Sequence, residues 1–573
     1  LEFDTCCTLA SMAYRRRGIR TVIINSNPET VSTDFNVSDR LYLEPLSVDD
    51  VWAIMEGEGI SEVVTQLGGQ TPLNMAAELE VRGAAIMGTS VQAIEEAEDR
   101  RRFSDLIRRT GARQPENRTA GSIRDVASAA AEIGYPVLVR PSFVLGGRSM
   151  LIAYGEEDLQ SFLADPSVPV SESRPVLVDQ FLEDAYEYDV DAVSDGTNVY
   201  IAGVMEHIEA AGIHSGDSAC VFPAYIDPPG IHQKIVDTTV LLARELGVRG
   251  LLNIQFAARA GELYVIEVNP RASRTVPFIS KASGVDLVDA AVRIWLGEDL
   301  QAQGLVGPEG VAEGASIVGW AVKEAMFSFD RFPEVDLRLG PEMRSTGEAI
   351  GIGDTFGEAF SKASSAVGTR LPRSGRVFIS VNDADKPNVV PIARELVALG
   401  FSVIATRGTA DFLFRNGIFP EVTLRIHEGH PNILDHMDAG RISLVINTPL
   451  GRSTQTDDER ILLATLQRGI PYVTTLSAAR AAIEGIRYLQ AGEARVKPLP
   501  SGSFAPVELN AGGGLTPERG ASTVPTETGE KQLIRGRHRA ADHRSTPTDA
   551  GTQPRNRSSK HRAGPEADGP PYR

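Results

Sequence analysis

The chain has 573 residues, enough for roughly three or four domains of about 150 residues each, and its 42% hydrophobic and 23% charged composition is that of a globular protein in water. A formal net charge of −19 argues against nucleic acid or an anionic membrane as the main partner, so an anionic substrate would need a locally basic site. No apolar run approaches the ~18 residues of a membrane span, and no signal peptide is recognisable. Cys6, Cys7 and Cys220 form neither a disulfide framework nor a four-ligand zinc spacing, which points to a reducing, cytoplasmic setting.

TCCTLASMAYRRRG (residues 5–18) reads as a complete helix ending at a glycine cap. Leu1 is not a natural start, so a first strand and glycine-rich turn are expected upstream. From Arg20 to about Gly88, β-rich runs (TVIIN, EVVTQLGG, AAIMGTS) alternate with helical stretches, the mark of parallel α/β layers. Ser90 opens one long helix candidate, SVQAIEEAEDRRRFSDLIRRTG, closing on Gly111.

Between about Pro136 and Val268 strands dominate, and the region reads as α+β built on antiparallel sheet. YPVLVRPSFVLGGRSM (residues 135–150) is a strand ending at Arg140 and running into a loop with Gly146 and Gly147. Paired glycines let backbone N–H groups approach an anion, although a plain hairpin turn is the commoner reason for such a pair. Glu187, Asp189 and Asp191 alternate, hence share a strand face; a solvated face is the simple reading, with Glu187 placed to accept hydrogen bonds from ribose hydroxyls. His207, His214, Asp217 and Cys220 match no standard zinc spacing, and GIHSGDS reads better as a ligand-contacting loop.

LLNIQFAA (residues 251–258) and LYVIEVN (residues 263–269) form a hairpin through Arg259, Ala260, Gly261 and Glu262. If it is symmetric about Gly261, Gln255 faces Glu267 and Asn253 faces Asn269. Four oxygen-bearing side chains with one formal charge suit Mg²⁺ or Mn²⁺; the competing reading is an edge hairpin with one solvated polar face. Arg271, Arg274 and Lys281 follow directly and supply the basic pocket that the acidic chain requires.

Residues from about 299 to 372 are mixed and turn-rich. From Gly375 a clean βα alternation returns, predicting a doubly wound domain with its own core. In it Thr406, Gly408 and Thr409 mark a strand-to-helix turn that either favours phosphate or simply caps the helix. After about Lys497 the composition cannot bury enough apolar surface to fold, and disorder is expected.

Several long stretches then carry a resemblance: NPETVSTDFNVSDRLYLEPL (residues 27–46), GGQTPLNMA (68–76), GTSVQAIEEAEDRRRF (88–103), RPSFVLGGRSM (140–150), HSGDSAC (214–220), IEVNPRASRTVPFISKASG (266–284) and GPEMRSTGEAIG (340–351). Across residues 1 to about 490 the chain resembles the C-terminal half of the large subunit of carbamoyl-phosphate synthase. The resemblance implies an α/β and α+β multidomain fold. Its parts are a truncated Rossmann-like pre-ATP-grasp domain (1–96), an ATP-grasp domain (97–298), a connector (299–370), a doubly wound methylglyoxal-synthase-like allosteric domain (371–495) and a disordered tail (496–573).

It also implies a site. Metal ligands fall on Gln255, Glu267 and Asn269. Nucleotide contacts fall on Arg140, Gln180, Leu182, Glu187, Gly212, Ile213, His214 and Ser215, with Gln255 and Glu267 shared through the metal. Arg271, Arg274 and Asn269 take catalytic roles beside the carbamate and the transferring phosphate. Gln180 stands where some members have histidine. The implied reaction is carbamate plus ATP giving carbamoyl phosphate plus ADP, one half of a synthesis from bicarbonate, ammonia and two ATP in arginine and pyrimidine biosynthesis. A glutamine amidotransferase small subunit is the implied partner. A nucleotide or other effector is expected near Ser380, Lys386, Thr406, Thr409, Arg425 and Asn447, with Arg425 replacing a lysine and Pro449 a threonine. Two other readings are another ATP-grasp carboxylase, which the appended doubly wound domain fits poorly, and a non-catalytic nucleotide-binding module.

Overall fold

A computed structural model describes residues 2–141, 150–164, 170–171, 175–183, 185–209, 211–226, 228–314, 319–328, 339–340, 342–448, 455–492, 496 and 498–499. The Gly146–Gly147 loop, Pro449 and nearly all of the expected disordered tail lie outside these residues.

The first helix, Glu2–Arg16, precedes two short parallel strand pairs, Val22–Ile24 with Arg40–Tyr42 and Glu62–Val63 with Ala85–Ile86. Parallel pairing with intervening helices Val48–Glu58 and Gln70–Arg82 is what the alternating pattern predicted. The long helix expected from Ser90 to Gly111 is instead two, Val91–Glu98 and Arg100–Thr110. Asp99 causes the break: it sits in extended backbone, and its carboxylate accepts from the N–H groups of Arg101 and Arg102, both at 3.0 Å. An aspartate used as an N-cap starts a new helix.

Two antiparallel sheets follow. The smaller has the strand order Asn117–Ala120, Val176–Gln180, Val137–Pro141, Leu151–Ala153. Its inner face packs Val137, Val139, Val176 and Val178 against Val126 and Leu159 of the two helices that cover it. The larger sheet runs Glu262–Asn269, Arg249–Arg259, Tyr186–Asp195, Val199–His207, Cys220–Phe222, Trp320–Met326, Gly347–Gly353, with Val311–Glu313 added in parallel beside Val199–His207. Residues 299–370 thus contribute three strands to the sheet that carries the candidate site.

The central strand Tyr186–Asp195 shows why the two faces of this sheet differ. Tyr188, Val190 and Ala192 point into an apolar core with Ile235 and Leu242 of the Ile231–Glu245 helix. Glu187, Asp189 and Asp191 point to the opposite face. Since paired residues in a sheet share a face, that face also receives Gln255 and Asn253 on one side of the strand and His207, Cys220 and Lys323 on the other.

The C-terminal part is a five-stranded parallel sheet in the order Glu421–Thr423, Ser402–Thr406, Arg376–Val381, Leu444–Thr448, Tyr472–Val473. This is the doubly wound arrangement expected from Gly375 onward. Its last helix, Leu476–Ala491, packs on Phe356–Ala366, which covers the large sheet. Val221 and Val322 of that sheet join Phe356, Ile379 and Ile483 in one continuous core. At the helix crossing, a Cβ on Gly357 would stand 2.3 Å from the Glu484 carbonyl oxygen, so only glycine permits the approach. Among the described residues, no helix is long and apolar enough to cross a membrane.

Candidate functional site

The hairpin brings its polar residues together by a route different from the one expected. Arg259 pairs with Glu262, so the turn is the two residues Ala260 and Gly261, at φ 52 and 80. Positive φ at both central positions is the hairpin turn whose twist matches the flanking strands. Unbroken, that register would set Gln255 against Ile266. A bulge at Ile266 shifts the pairing, and Gln255 faces Glu267 while Asn253 faces Asn269. The extra residue leaves two successive exposed positions, Ile266 and Glu267, on the strand.

Asn269 Nδ2 donates to Glu267 Oε1 at 2.8 Å and to Asn253 Oδ1 at 3.5 Å. Arg271 Nη2 donates to Asn269 Oδ1 at 3.0 Å. The hairpin is indeed at the sheet edge, but its polar face is not merely solvated, since Asn253 is buried.

The expectation of a solvated acidic face on the central strand is corrected: Asp189 and Asp191 are 4% and 1% exposed. Buried carboxylates persist only when donors satisfy them. Asp191 receives Asn253 Nδ2 at 3.0 Å, Ser273 Oγ at 2.7 Å and Thr275 Oγ1 at 2.5 Å. Burial pushes its carboxyl up to about 6, with those hydrogen bonds pulling the other way. His207 lies between Glu187 at 3.2 Å and Asp189 at 2.9 Å. Burial alone would lower the imidazole, but Cys220, Asp189 and Glu187 raise it well above its ordinary range. Asp189, His207 and Cys220 each offer a ligand atom within 4.8 Å of the others. His214 and Asp217, weighed with them in the sequence, lie outside that group. Lys323, opposite Cys220 in the ladder, places its ammonium 2.9 Å from the Ser218 carbonyl oxygen.

Around the nucleotide candidates the small sheet supplies Arg140, whose Nε donates to Asp179 Oδ2 at 2.7 Å. Gln180 Oε1 accepts from the Glu116 N–H at 3.4 Å. Leu182 and Ala185 pack with Ala257, Ala211 and Tyr264 in a small apolar cluster beside these residues. Gly212 N–H donates to Glu187 Oε1 at 3.1 Å, and at φ 91 its missing Cβ would meet the Phe181 ring at 2.6 Å. Beyond Ile213, His214 Nδ1 accepts from Gly216 N–H at 3.0 Å, and burial lowers its pKa. The Ser215 carbonyl accepts from Lys323 at 3.4 Å. Asp217 accepts the N–H groups of Arg344 and Ser345, both at 2.8 Å, which anchors residues 214–217 to the GPEMRST segment.

Three groups at the site carried no usable sequence signal. Arg100, one of a run of arginines, stands 3.9 Å from Asp179. Ser273 and Thr275, on either side of Arg274, were assigned no role from the sequence. Of the predicted cations, Arg271 is the informative one: it bonds Asn269 Oδ1 and the Ala272 carbonyl, and its buried Nε–H has no partner among the described residues. Lys281 Nζ donates to the Pro277 carbonyl of its own helix at 3.2 Å.

In the C-terminal sheet, Thr406 is the N-cap residue of the Arg407–Arg415 helix but makes no side-chain cap bond; its hydroxyl lies 3.3 Å from Ser380 Oγ. Thr409 Oγ1 accepts from the Val381 N–H at 3.2 Å, and Lys386 pairs with Asp383. Arg425 caps the short turn Ile426–Glu428. Asn447 Nδ2 donates to Asp458 and to the Tyr472 hydroxyl, each at 3.0 Å.

Known protein families match this architecture segment by segment. Residues 1–96 match the carbamoyl phosphate synthase preATP-grasp domain, residues 99–303 the ATP-binding domain of the carbamoyl-phosphate synthase L chain, and residues 388–474 the MGS-like domain. The carbamoyl phosphate synthase large chain of Gemmatimonas aurantiaca is 50% identical over 499 residues, 87% of this chain and 45% of that protein. The chain belongs to the carbamoyl-phosphate synthase large-chain family. The large chain of Archaeoglobus fulgidus is 48% identical over 500 residues, 87% of this chain and 46% of that one. The chain therefore spans about half the length of the curated relatives it matches. In fold, it resembles the biotin carboxylase domain of Hydrogenobacter thermophilus 2-oxoglutarate carboxylase. That structure holds MgADP, ADP and bicarbonate, with a TM-score of 0.50, 20% identity, and coverage of 63% of this chain and 86% of that one. The two antiparallel sheets are accordingly the lobes of an ATP-grasp fold, and the five-stranded parallel sheet belongs to the MGS-like domain.

Proposed function

We propose that this chain transfers a phosphoryl group from ATP to carbamate, giving carbamoyl phosphate and ADP. The observation that carries the reading is the edge of the large sheet, where Glu267, Asn269 and Gln255 line up beside Arg271, whose buried Nε–H awaits an acceptor. One carboxylate and two amide oxygens fit a hard divalent cation, so Gln255, Glu267 and Asn269 are the residues that would hold Mg²⁺ or Mn²⁺. When bound, the metal neutralises charge on the nucleotide phosphates.

The chain's own residues have separate tasks. Leu182 and its apolar neighbours receive the purine, Glu187 accepts from the ribose hydroxyls, and Gly212, Ile213, His214 and Ser215 close over the sugar. Arg140, steadied by Asp179, meets the phosphates, with Gln180 on the neighbouring strand. Arg271 and Arg274 hold the carbamate and phosphoryl oxygens in line. A carbamate oxygen is itself the nucleophile, so phosphoryl transfer here needs positioning and charge neutralisation rather than a covalent intermediate.

Within a whole large chain the reaction would complete a synthesis from bicarbonate, ammonia and two ATP in the cytoplasm, serving arginine and pyrimidine biosynthesis. A glutamine amidotransferase small subunit would supply the ammonia. An anionic effector such as a nucleotide would sit on the MGS-like domain near Ser380, Lys386, Thr406, Thr409, Arg425 and Asn447. The direct test supplies carbamoyl phosphate, ADP and Mg²⁺ and measures ATP. Formation of ATP is expected; folded protein that binds nucleotide without turnover would favour a regulatory or binding fragment.

A further inference from the structure

The three acids of the central strand divide their attention. Glu187 and Asp189 are engaged by Gly212 and His207, at the nucleotide end. Asp191 is engaged by two other segments at once. From the hairpin comes Asn253, whose Oδ1 in turn accepts from Asn269 Nδ2. From the irregular stretch after the hairpin come Ser273 and Thr275, the two residues that flank Arg274. The two hydroxyls also meet each other at 2.9 Å, and the Thr275 N–H donates to Ser273 Oγ at 3.2 Å. The backbone of that stretch is also tied by Ala272 N–H to the Gln66 carbonyl at 2.9 Å, by Arg271 N–H to the Asn269 carbonyl at 2.8 Å and by Ile279 N–H to the Thr275 carbonyl at 2.8 Å.

We propose that Asp191 is a positioning residue for phosphoryl transfer, its carboxylate fixing the arginine-bearing segment 271–275 relative to the metal-binding hairpin. This rests on the function proposed above. Residues 271–274 lie between the strand Glu262–Asn269 and the helix Val276–Ser283 with few backbone ties of their own, so anchored side chains limit their movement, and a carboxylate can accept several hydrogen bonds at once. An apolar residue would fill the same volume more cheaply than a buried charge. It would leave Asn253, Ser273 and Thr275 without their common acceptor and loosen the segment that carries Arg271 and Arg274.

Asp191→Asn tests the brace at nearly constant volume, because an amide presents an N–H where one of the donors now finds oxygen. The Ser273→Ala/Thr275→Val pair tests it from the loop side without disturbing the sheet. For ATP formation from carbamoyl phosphate and MgADP, kcat should fall on the order of 100-fold in Asp191→Asn, as small misplacements of reacting groups do, with KM for ADP changing by less than about threefold. Hydrogen exchange followed by mass spectrometry should show residues 269–276 exchanging at least about tenfold faster, with the rest of the large sheet unchanged. The loop-side pair should reproduce both effects in direction. Unchanged kcat, or exchange accelerated evenly through the sheet with kcat and KM moving together, would overturn the proposal. Wild-type protein that makes no ATP would remove the phosphoryl-transfer reading alone, and the exchange pattern would still decide whether Asp191 holds the segment.

Discussion

Glu267→Gln removes the one formal negative charge among the three residues proposed to hold the metal, and the geometry around it limits what else can change. Asn269 Nδ2 donates to Glu267 Oε1 at 2.8 Å, and a glutamine Oε1 accepts the same bond, so Asn269 keeps its place. The neighbouring bond from Arg271 to Asn269 is untouched. The loss is therefore electrostatic. Two unit charges about 4 Å apart interact by about 4 kcal/mol at an effective dielectric of about 20, and deleting one preorganised contact to developing charge typically costs about 3–4 kcal/mol. Either figure corresponds to roughly 10²–10³-fold in kcat. The assay follows ATP from carbamoyl phosphate and ADP while Mg²⁺ is titrated, and the variant should also need more metal. Glu262→Gln is the control: it lies on the same strand but pairs with Arg113 at 2.7 Å, at the surface. If Glu267→Gln stayed within about threefold of wild type, or matched the control, the metal assignment would be wrong.

Three further outcomes follow from other contacts. Asp179→Asn weakens the charge-assisted hold on Arg140 and should raise KM for ADP about tenfold with little change in kcat, read by steady-state kinetics. Gly357→Ala would press a Cβ to 2.3 Å from the Glu484 carbonyl oxygen and should cost about 1–3 kcal/mol in calorimetry, whereas Gly57→Ala, inside the Val48–Glu58 helix with open space around it, should gain about 0.5–1 kcal/mol. Glu324 is driven by burial, and secondarily by Glu209, up to about 8, with Glu209 itself near 7. A carboxyl raised in the folded state binds its proton more tightly there than in the unfolded chain. Its contribution is thus full below the ordinary glutamate range and is lost as pH rises through about 8. Urea midpoints should fall across that window, and Glu324→Gln should flatten the fall.

Much of this architecture was legible because period and turn chemistry agree with the fold. The βα alternation after Gly375 gave a parallel sheet, and the hairpin gave Gln255 opposite Glu267. The hairpin result hides a compensation: the turn is one register away from the assumed symmetry, and the Ile266 bulge restores the pairing. Alternation in sequence cannot reveal a bulge of this kind. Helical periodicity continued straight through Asp99, whose capping role depends on backbone conformation rather than on pattern. The buried acids of the central strand were read as solvated because their donors, Ser273 and Thr275 for Asp191 and His207 for Asp189, come from distant segments or a neighbouring strand. Arg100 escaped notice because nothing local separates one arginine of a run from its neighbours.

The shared core of Val221, Val322, Phe356, Ile379 and Ile483 bears on how such an enzyme can be dissected. A version cut short before Gly375 would leave a greasy scar on the back of the large sheet, and the detached MGS-like domain would carry the matching one. Exchanging that module for a foreign one would demand re-tailoring both surfaces, down to the bare glycine at the helix crossing. The MGS-like domain and the large sheet of this chain are therefore held together by apolar packing and not by a tether alone.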